Sequence, residues 1–129
     1  MNTPNPPSAC VQVYGIPNCD TVKKARTWLT EQGIAFEFHD FKKQGVPEAA
    51  LDRWLHSLGW EAVLNRKGTT WRQLDGATQA QVQDAASAKA VMLAHASVIK
   101  RPVVEWPNTR AGRPVSVGFN ANDWAGERL

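Results

Sequence analysis

Residues 10–41 read C-V-Q-V-Y-G-I-P-N-C-D-T-V-K-K-A-R-T-W-L-T-E-Q-G-I-A-F-E-F-H-D-F. Cys10 to Gly15, with Val11, Val13 and Ile16 apolar, reads as a short buried strand, and Gly15, Pro17 and Asn18 punctuate its end. From Cys19 to Gln32 the apolar residues Val22, Ala25 and Leu29 recur at helical spacing with Trp28 beside them. Lys23, Lys24, Arg26 and Glu31 take the opposite face, and Gly33 stands where a helix stop is expected. In Ile34 to Phe41, the apolar Ile34, Phe36 and Phe38 alternate with Ala35, Glu37 and His39, the pattern of a second strand. Strand, helix and strand in about 30 residues make a βαβ unit, which predicts parallel strands and a right-handed crossover.

Beyond this unit the pattern turns helical. Pro47 can open a helix at its first turn, Leu51, Trp54, Leu55 and Leu58 form one apolar stripe, and Gly59 closes it. Trp60 to Asn65 reads as a further short helical turn and Arg66 to Arg72 as a loop. Thr78 to Asp84 and Ser87 to His95 read as two short helices with a capping hydroxyl at the start of each. Pro102 precedes a short strand, Val103 to Trp106. Asn108 to Arg113 is a turn, and Pro114 to Phe119 is the last strand, paired antiparallel with the previous one. Residues 120–129 form a short helix or a tail. The order is β-α-β, a helical insertion at about 47–95 between the second and third strands, then β-β. This predicts an α/β fold with a mixed sheet, as one domain over residues 10–129. Met1 to Ala9, with Pro4, Pro6, Pro7 and no large apolar residue, is expected to be a disordered tail.

Composition narrows the function classes. The chain has 129 residues, 43% hydrophobic and 21% charged, as an ordinary globular protein of one domain has. No apolar run approaches the roughly 18 residues of a membrane span, and the start lacks the basic flank and apolar core of a secretory signal, so the expected location is the cytoplasm. The net charge of +3 is modest and its basic pairs are scattered, which argues against direct nucleic-acid binding. The six Trp are irregularly spaced and read as core and groove walls. His39, His56 and His95 are far apart and not at ligand spacing with a Cys, so no metal site is expected.

The chemistry points to Cys19. It stands between a strand and a helix, where unpaired first-turn N–H groups and the positive helix end favour thiolate over thiol. Asp20 opposes this effect and Lys23 supports it. A phosphatase-type loop needs an Arg six positions after the Cys, and Ala25 is there; a dithiol pair needs Cys-x-x-Cys, and Val22 holds the second position. Single-thiol chemistry, completed by an outside thiol, remains. Cys10 begins the strand that Cys19 follows, roughly 15–20 Å away at about 3.3 Å per residue, whereas a disulfide needs Cα atoms within about 7 Å.

Arg101-Pro102 is the second feature. An X-Pro bond at a strand start permits the cis form, which would turn the preceding backbone toward a ligand, and Arg101 could there meet an anion. Arg66, Lys67, Arg110 and Arg113 lie in loops that could reach the same end of the sheet. A guanidinium fork suits an oxyanion or a carboxylate such as those of glutathione.

Together, Y-G-I-P-N-C-D-T-V-K-K-A at 14–25, F-H-D-F at 38–41, L-G-W-E-A-V-L-N at 58–65, G-T-T-W-R at 68–72, D-A-A-S-A at 84–88 and I-K-R-P at 99–102 resemble the arsenate reductase (ArsC/Spx) family, most closely its YffB-like subgroup. The resemblance covers about Val11 to Phe119. It implies a thioredoxin-like fold with a helical insertion, a nucleophilic Cys19 and a cis Pro102. Of the three Arg that surround the Cys in arsenate reductases of this type, Arg101 matches the second and Arg113, within G-R-P, the third. The first falls at Asn65, beside Arg66, and Asp20-Thr21-Val22-Lys23 replaces a small hydroxyl-rich loop; both are departures from the arsenate-reducing pattern. The expected function is a glutathione-dependent thiol oxidoreductase with Cys19 as its single thiolate and no tightly bound cofactor. Arg101, Pro102, Arg113, Arg66, Asn18 and Lys23 are the expected substrate- or glutathione-binding residues. The alternatives are a genuine arsenate reductase coupled to glutathione or glutaredoxin, and an Spx-like module that binds RNA polymerase without a Cys-x-x-Cys switch.

Overall fold

The computed structural model describes residues 11–106 and 115–128. The expected tail, Cys10, the turn with Arg110 and Arg113, and Pro114 lie outside the described residues. The elements are β1 (Val11–Gly15), α1 (Asp20–Glu31), β2 (Phe36–Asp40), α2 (Phe41–Gln44), α3 (Glu48–Leu58), α4 (Trp60–Val63), α5 (Thr69–Gln73), α6 (Gly76–Gln81), α7 (Ala85–Ala94), β3 (Val103–Glu105), β4 (Val115–Val117) and α8 (Ala121–Arg128). A 3₁₀ turn, Ala96–Val98, follows α7. The chain forms two compact units, one from residues up to Lys43 and from Arg101 onward, the other from residues 44–100.

In the first unit four strands pair in the order β2-β1-β3-β4. β1 and β2 are parallel, with Val11 opposite Phe36 and Val13 opposite Phe38, as the βαβ reading requires. β3 runs antiparallel to β1, with Val104 opposite Val13, and β4 antiparallel to β3. Alternation along β1 divides its side chains between the two faces. On one face Val11, Val13 and Val104 pack with Ala25 and Leu29 of α1, Trp106, and Trp124 of α8. Trp124 meets the rings of Trp106 and Phe119 edge-on at 4.8 Å each and Trp28 at 5.5 Å, arrangements that suit aromatic quadrupoles. On the other face the polar members are tied in pairs: Tyr14 donates from its hydroxyl to Glu105 Oε1 at 3.0 Å and stacks on His39. His39 Nε2 in turn meets Gln12 Oε1.

α1 ends as Gly33 predicts. Gly33 has φ +71°, its N–H donates to the Thr30 carbonyl and the Ile34 N–H donates to that of Leu29, a Schellman closure. β2 is shorter than the alternation suggests, because Phe41 turns inward to open α2.

In the second unit Leu51 and Trp54 bury the stripe of α3, while Lys89 of α7 reaches Glu48 and Asp52 of α3 at 2.7 and 2.8 Å. Three local expectations are corrected. Pro47 caps α3 rather than entering its first turn. The loop expected over 66–72 is shorter: the Asn65 side chain accepts from the Lys67 N–H, Gly68 is extended, and α5 begins at Thr69. The caps of α6 and α7 are Asp75 and Asp84, with Thr78 and Ser87 three residues inside. A carboxylate at the cap accepts the inner N–H more strongly than a hydroxyl does. At Asp84 the Ser87 hydroxyl returns the favour to the cap N–H, a reciprocal capping box.

Leu29 is fully buried in the sheet core, so Leu29→Ala is expected to cost about 2–5 kcal/mol. Exposed Leu93→Ala is expected to change stability by less than about 0.5 kcal/mol. Urea denaturation of the two variants checks the contrast.

Candidate functional site

β1 delivers the chain through Ile16 and a turn at Pro17–Asn18 to Cys19, which has extended backbone (φ −100°, ψ 126°) and is the N-cap of α1. The Lys23 N–H donates to the Cys19 carbonyl at 2.9 Å, closing the first turn behind it. Cys19 is half-buried and unbridged. Its side chain makes no closed capping hydrogen bond. The surroundings nonetheless lower its pKa below the ordinary thiol value. Burial is the largest single influence and pushes the thiol up; it is outweighed together by the Val22 N–H, the Arg101 side chain, the Thr21 N–H and the Arg101 charge. The helix-end argument therefore holds, and the guanidinium adds to it.

Arg101 reaches this place because the chain re-enters the sheet there. The Arg101–Pro102 bond is cis, Pro102 is buried, and its carbonyl accepts from the Gly118 N–H at 2.9 Å, tying the segment to the residue after β4. Within the second unit Lys100, the residue before Arg101, donates its N–H to the Val63 carbonyl, and Leu64 bridges Ile99. Both sides of the Arg101–Pro102 step are thus held by backbone hydrogen bonds.

The other expected residues divide. Asn18 is exposed in the turn before Cys19. Lys23 is exposed and lines a surface cavity with Arg26, Thr27, Thr30, Glu31 and Phe36, along the outer side of α1, and it is not among the influences that lower the Cys19 thiol. Arg66, in the second unit, lies over the Trp60 ring at 5.6 Å and 3.8 Å from Glu61. Arg113 lies outside the described residues. Two contributors escaped the sequence reading: the Thr21 and Val22 amides, which follow from counting N2 and N3 positions after the cap.

The chain matches the ArsC family over residues 14–126. It belongs to the ArsC family. An uncharacterized protein of Haemophilus influenzae is 34% identical over 114 residues, which cover 88% of this chain and 95% of that one. The solved structure of the YFFB (PA3664) protein is 46% identical with a TM-score of 0.82, covering 92% of this chain and 99% of that one. A solution structure of an arsenate reductase (ArsC) related protein from Brucella melitensis is 48% identical with a TM-score of 0.69, covering 94% and 97%. The mixed four-stranded sheet with its helical insertion is the thioredoxin-like α/β fold of this ArsC protein, and the YffB-like resemblance is borne out. Among the described residues no helix is long and apolar enough to cross a membrane.

Two outcomes are expected of the thiol. Alkylation of Cys19 against pH should have its half-point below the ordinary thiol value near 8.5, and Arg101→Gln should raise it. The same shift enters stability. With a folded pKa below the unfolded one, the unfolded chain binds more protons between the two values, so the contribution is complete above the unfolded pKa and is lost as pH falls through the folded one. Urea denaturation of wild type and Cys19→Ser at a series of pH values should show their stability difference moving in favour of wild type as pH rises through that window. A constant difference would contradict the lowered thiol.

Proposed function

We propose that this ArsC-family protein is a glutathione-dependent thiol oxidoreductase with Cys19 as its single nucleophilic thiolate. The observation that carries the reading is the joint action of α1's first-turn amides and Arg101 on one thiol, with Val22 at the place where a dithiol enzyme has its second Cys. The Cys19 thiolate attacks the glutathione sulfur of a mixed disulfide, RS–SG. A Cys19–SG bond forms, the RS–SG bond breaks, and the departing thiolate takes a proton. A second glutathione thiolate then attacks the bound glutathione sulfur, releasing GSSG and restoring Cys19. The substrate disulfide gains two electrons and two glutathione thiols supply them. The Arg101 guanidinium offers a fork for a carboxylate of the tripeptide beside Pro102, and Arg113 and Arg66 are proposed as further carboxylate partners.

A second reading, arsenate reduction coupled to glutathione or glutaredoxin, draws support from the ArsC-related Brucella melitensis structure and from Arg101 beside the thiol. Asn65 at the place of the first oxyanion-holding Arg favours the thiol reading over it.

Intact-mass measurement after peroxide and glutathione should show one added glutathione, absent in Cys19→Ser and retained in Cys10→Ser. A loss of two hydrogens with Cys10 and Cys19 joined would overturn the single-thiol cycle. Arg101→Lys should weaken glutathione binding by about 1–3 kcal/mol, since an ammonium cannot reproduce the planar fork; unchanged affinity by calorimetry would remove Arg101 from the site. Arsenate turnover with glutathione and glutaredoxin, abolished in Cys19→Ser, would favour the second reading.

A further inference from the structure

Gly15 is the last residue of β1, is buried, and lies opposite Asp40 of β2. Its φ is outside the left-handed region, so its backbone conformation does not call for glycine. A neighbouring side chain does. A Cβ at Gly15 would fall 2.9 Å from Val22 Cγ2, closer than carbon atoms approach in proteins, and 3.8 Å from the Arg101 Cβ, an ordinary contact. Val22 is fully buried, and a β-branched side chain in a helix has one strongly preferred χ1 setting, so its methyl has nowhere to swing. The displacement that a Cβ would force falls on the first turn of α1.

We infer that Gly15 is a positioning residue for the Cys19 thiol: by lacking a Cβ it lets Val22 seat against the end of β1, and that seating fixes where the Thr21 and Val22 amides stand relative to the sulfur. The inference rests on the proposed thiolate chemistry of Cys19 and adds the part of the sheet that sets it. Val22 belongs to the same contact. It carries one of the amides that act on Cys19 and, through its side chain, locks that amide to the sheet. Among the described residues the charge acting on Cys19 from another segment is that of Arg101, while Asp20 and Lys23 are the nearest charges on α1 itself. Since Arg101 would meet a Gly15 Cβ at ordinary distance, the perturbation is directed at the amides.

The test is Cys19 alkylation by iodoacetamide across pH in full-length protein, with circular dichroism to establish folding. Gly15→Ala should slow alkylation at neutral pH by about three- to tenfold through a smaller thiolate fraction and move the pH profile upward. Adding Val22→Ala to Gly15→Ala should return the profile to that of wild type, because the methyl that collides is gone. Val22→Ile, which enlarges the same contact from the helix side, should move the profile upward in the Gly15 chain, and it carries the test if Gly15→Ala does not fold. A folded Gly15→Ala or Val22→Ile with the wild-type profile, or a double variant that stays shifted, overturns the inference while leaving the thiol reading intact. An ordinary thiol profile in wild type would overturn both.

Discussion

The end of β1 and the first turn of α1 lie against each other with no side chain of Gly15 between them, and the arrangement of the first unit depends on that contact. All five residues of β1 are buried, with β2 on one side and β3 on the other. A helix that crosses such a strand must come close enough for Ala25 and Leu29 to reach Val11 and Val13. A bulky residue at the strand's end would hold the helix start away from the sheet. Close packing therefore fixes the helix cap relative to the strand that precedes it. The same position of the chain is where Arg101 returns, so the packing requirement and the electrostatics of the thiol share one location.

The βαβ unit was legible because each of its elements carries its own period: alternation over 34–39, a 3.6-residue recurrence at Val22, Ala25 and Leu29, and Gly33 at the end. The corrections fall where a local polar group, not a period, decides the boundary. Asp75 and Asp84 compete with nearby Thr78 and Ser87 for the role of cap, and a sequence holding both signals does not reveal which one has extended backbone. The Asn65 side chain, turning back onto the Lys67 N–H, shortens a loop that its Arg, Lys and Gly content had lengthened. The order of strands in the sheet, with β1 central, lies still further from local pattern, because it is set by long-range pairing between residues about 90 positions apart.

The site was legible in its nucleophile and in Arg101, and less so in what surrounds them. Cys19 is announced by its junction, since a strand ending in a turn followed by a helical period places a cap there whatever the partners are. Lys23 shows the limit of that logic. Helical spacing puts it one turn from Cys19, yet its side chain lines the outer cavity of α1 beside Arg26 and Phe36, away from the influences on the thiol. Gly15 shows the opposite limit. As a letter in the sequence it punctuates a strand, and only the 2.9 Å approach of Val22 separates that role from one in positioning the helix.

Val22 links packing to the proposed chemistry. In a dithiol site the residue three positions after the nucleophile must carry a sulfur that can reach back to it. Here that residue is a fully buried valine whose methyl meets the end of β1. The position is thus committed to the core, and its backbone amide, held still by that commitment, serves the thiolate. A site built this way keeps one thiol activated and has none to spare for resolution within the helix. The second sulfur has to arrive on the substrate side, where the cis Arg101–Pro102 segment and the guanidinium beside Cys19 stand. Under the proposed function, selection among incoming thiols then rests on charge at that segment: an anionic thiol gains the guanidinium as partner, and a neutral one of equal size does not.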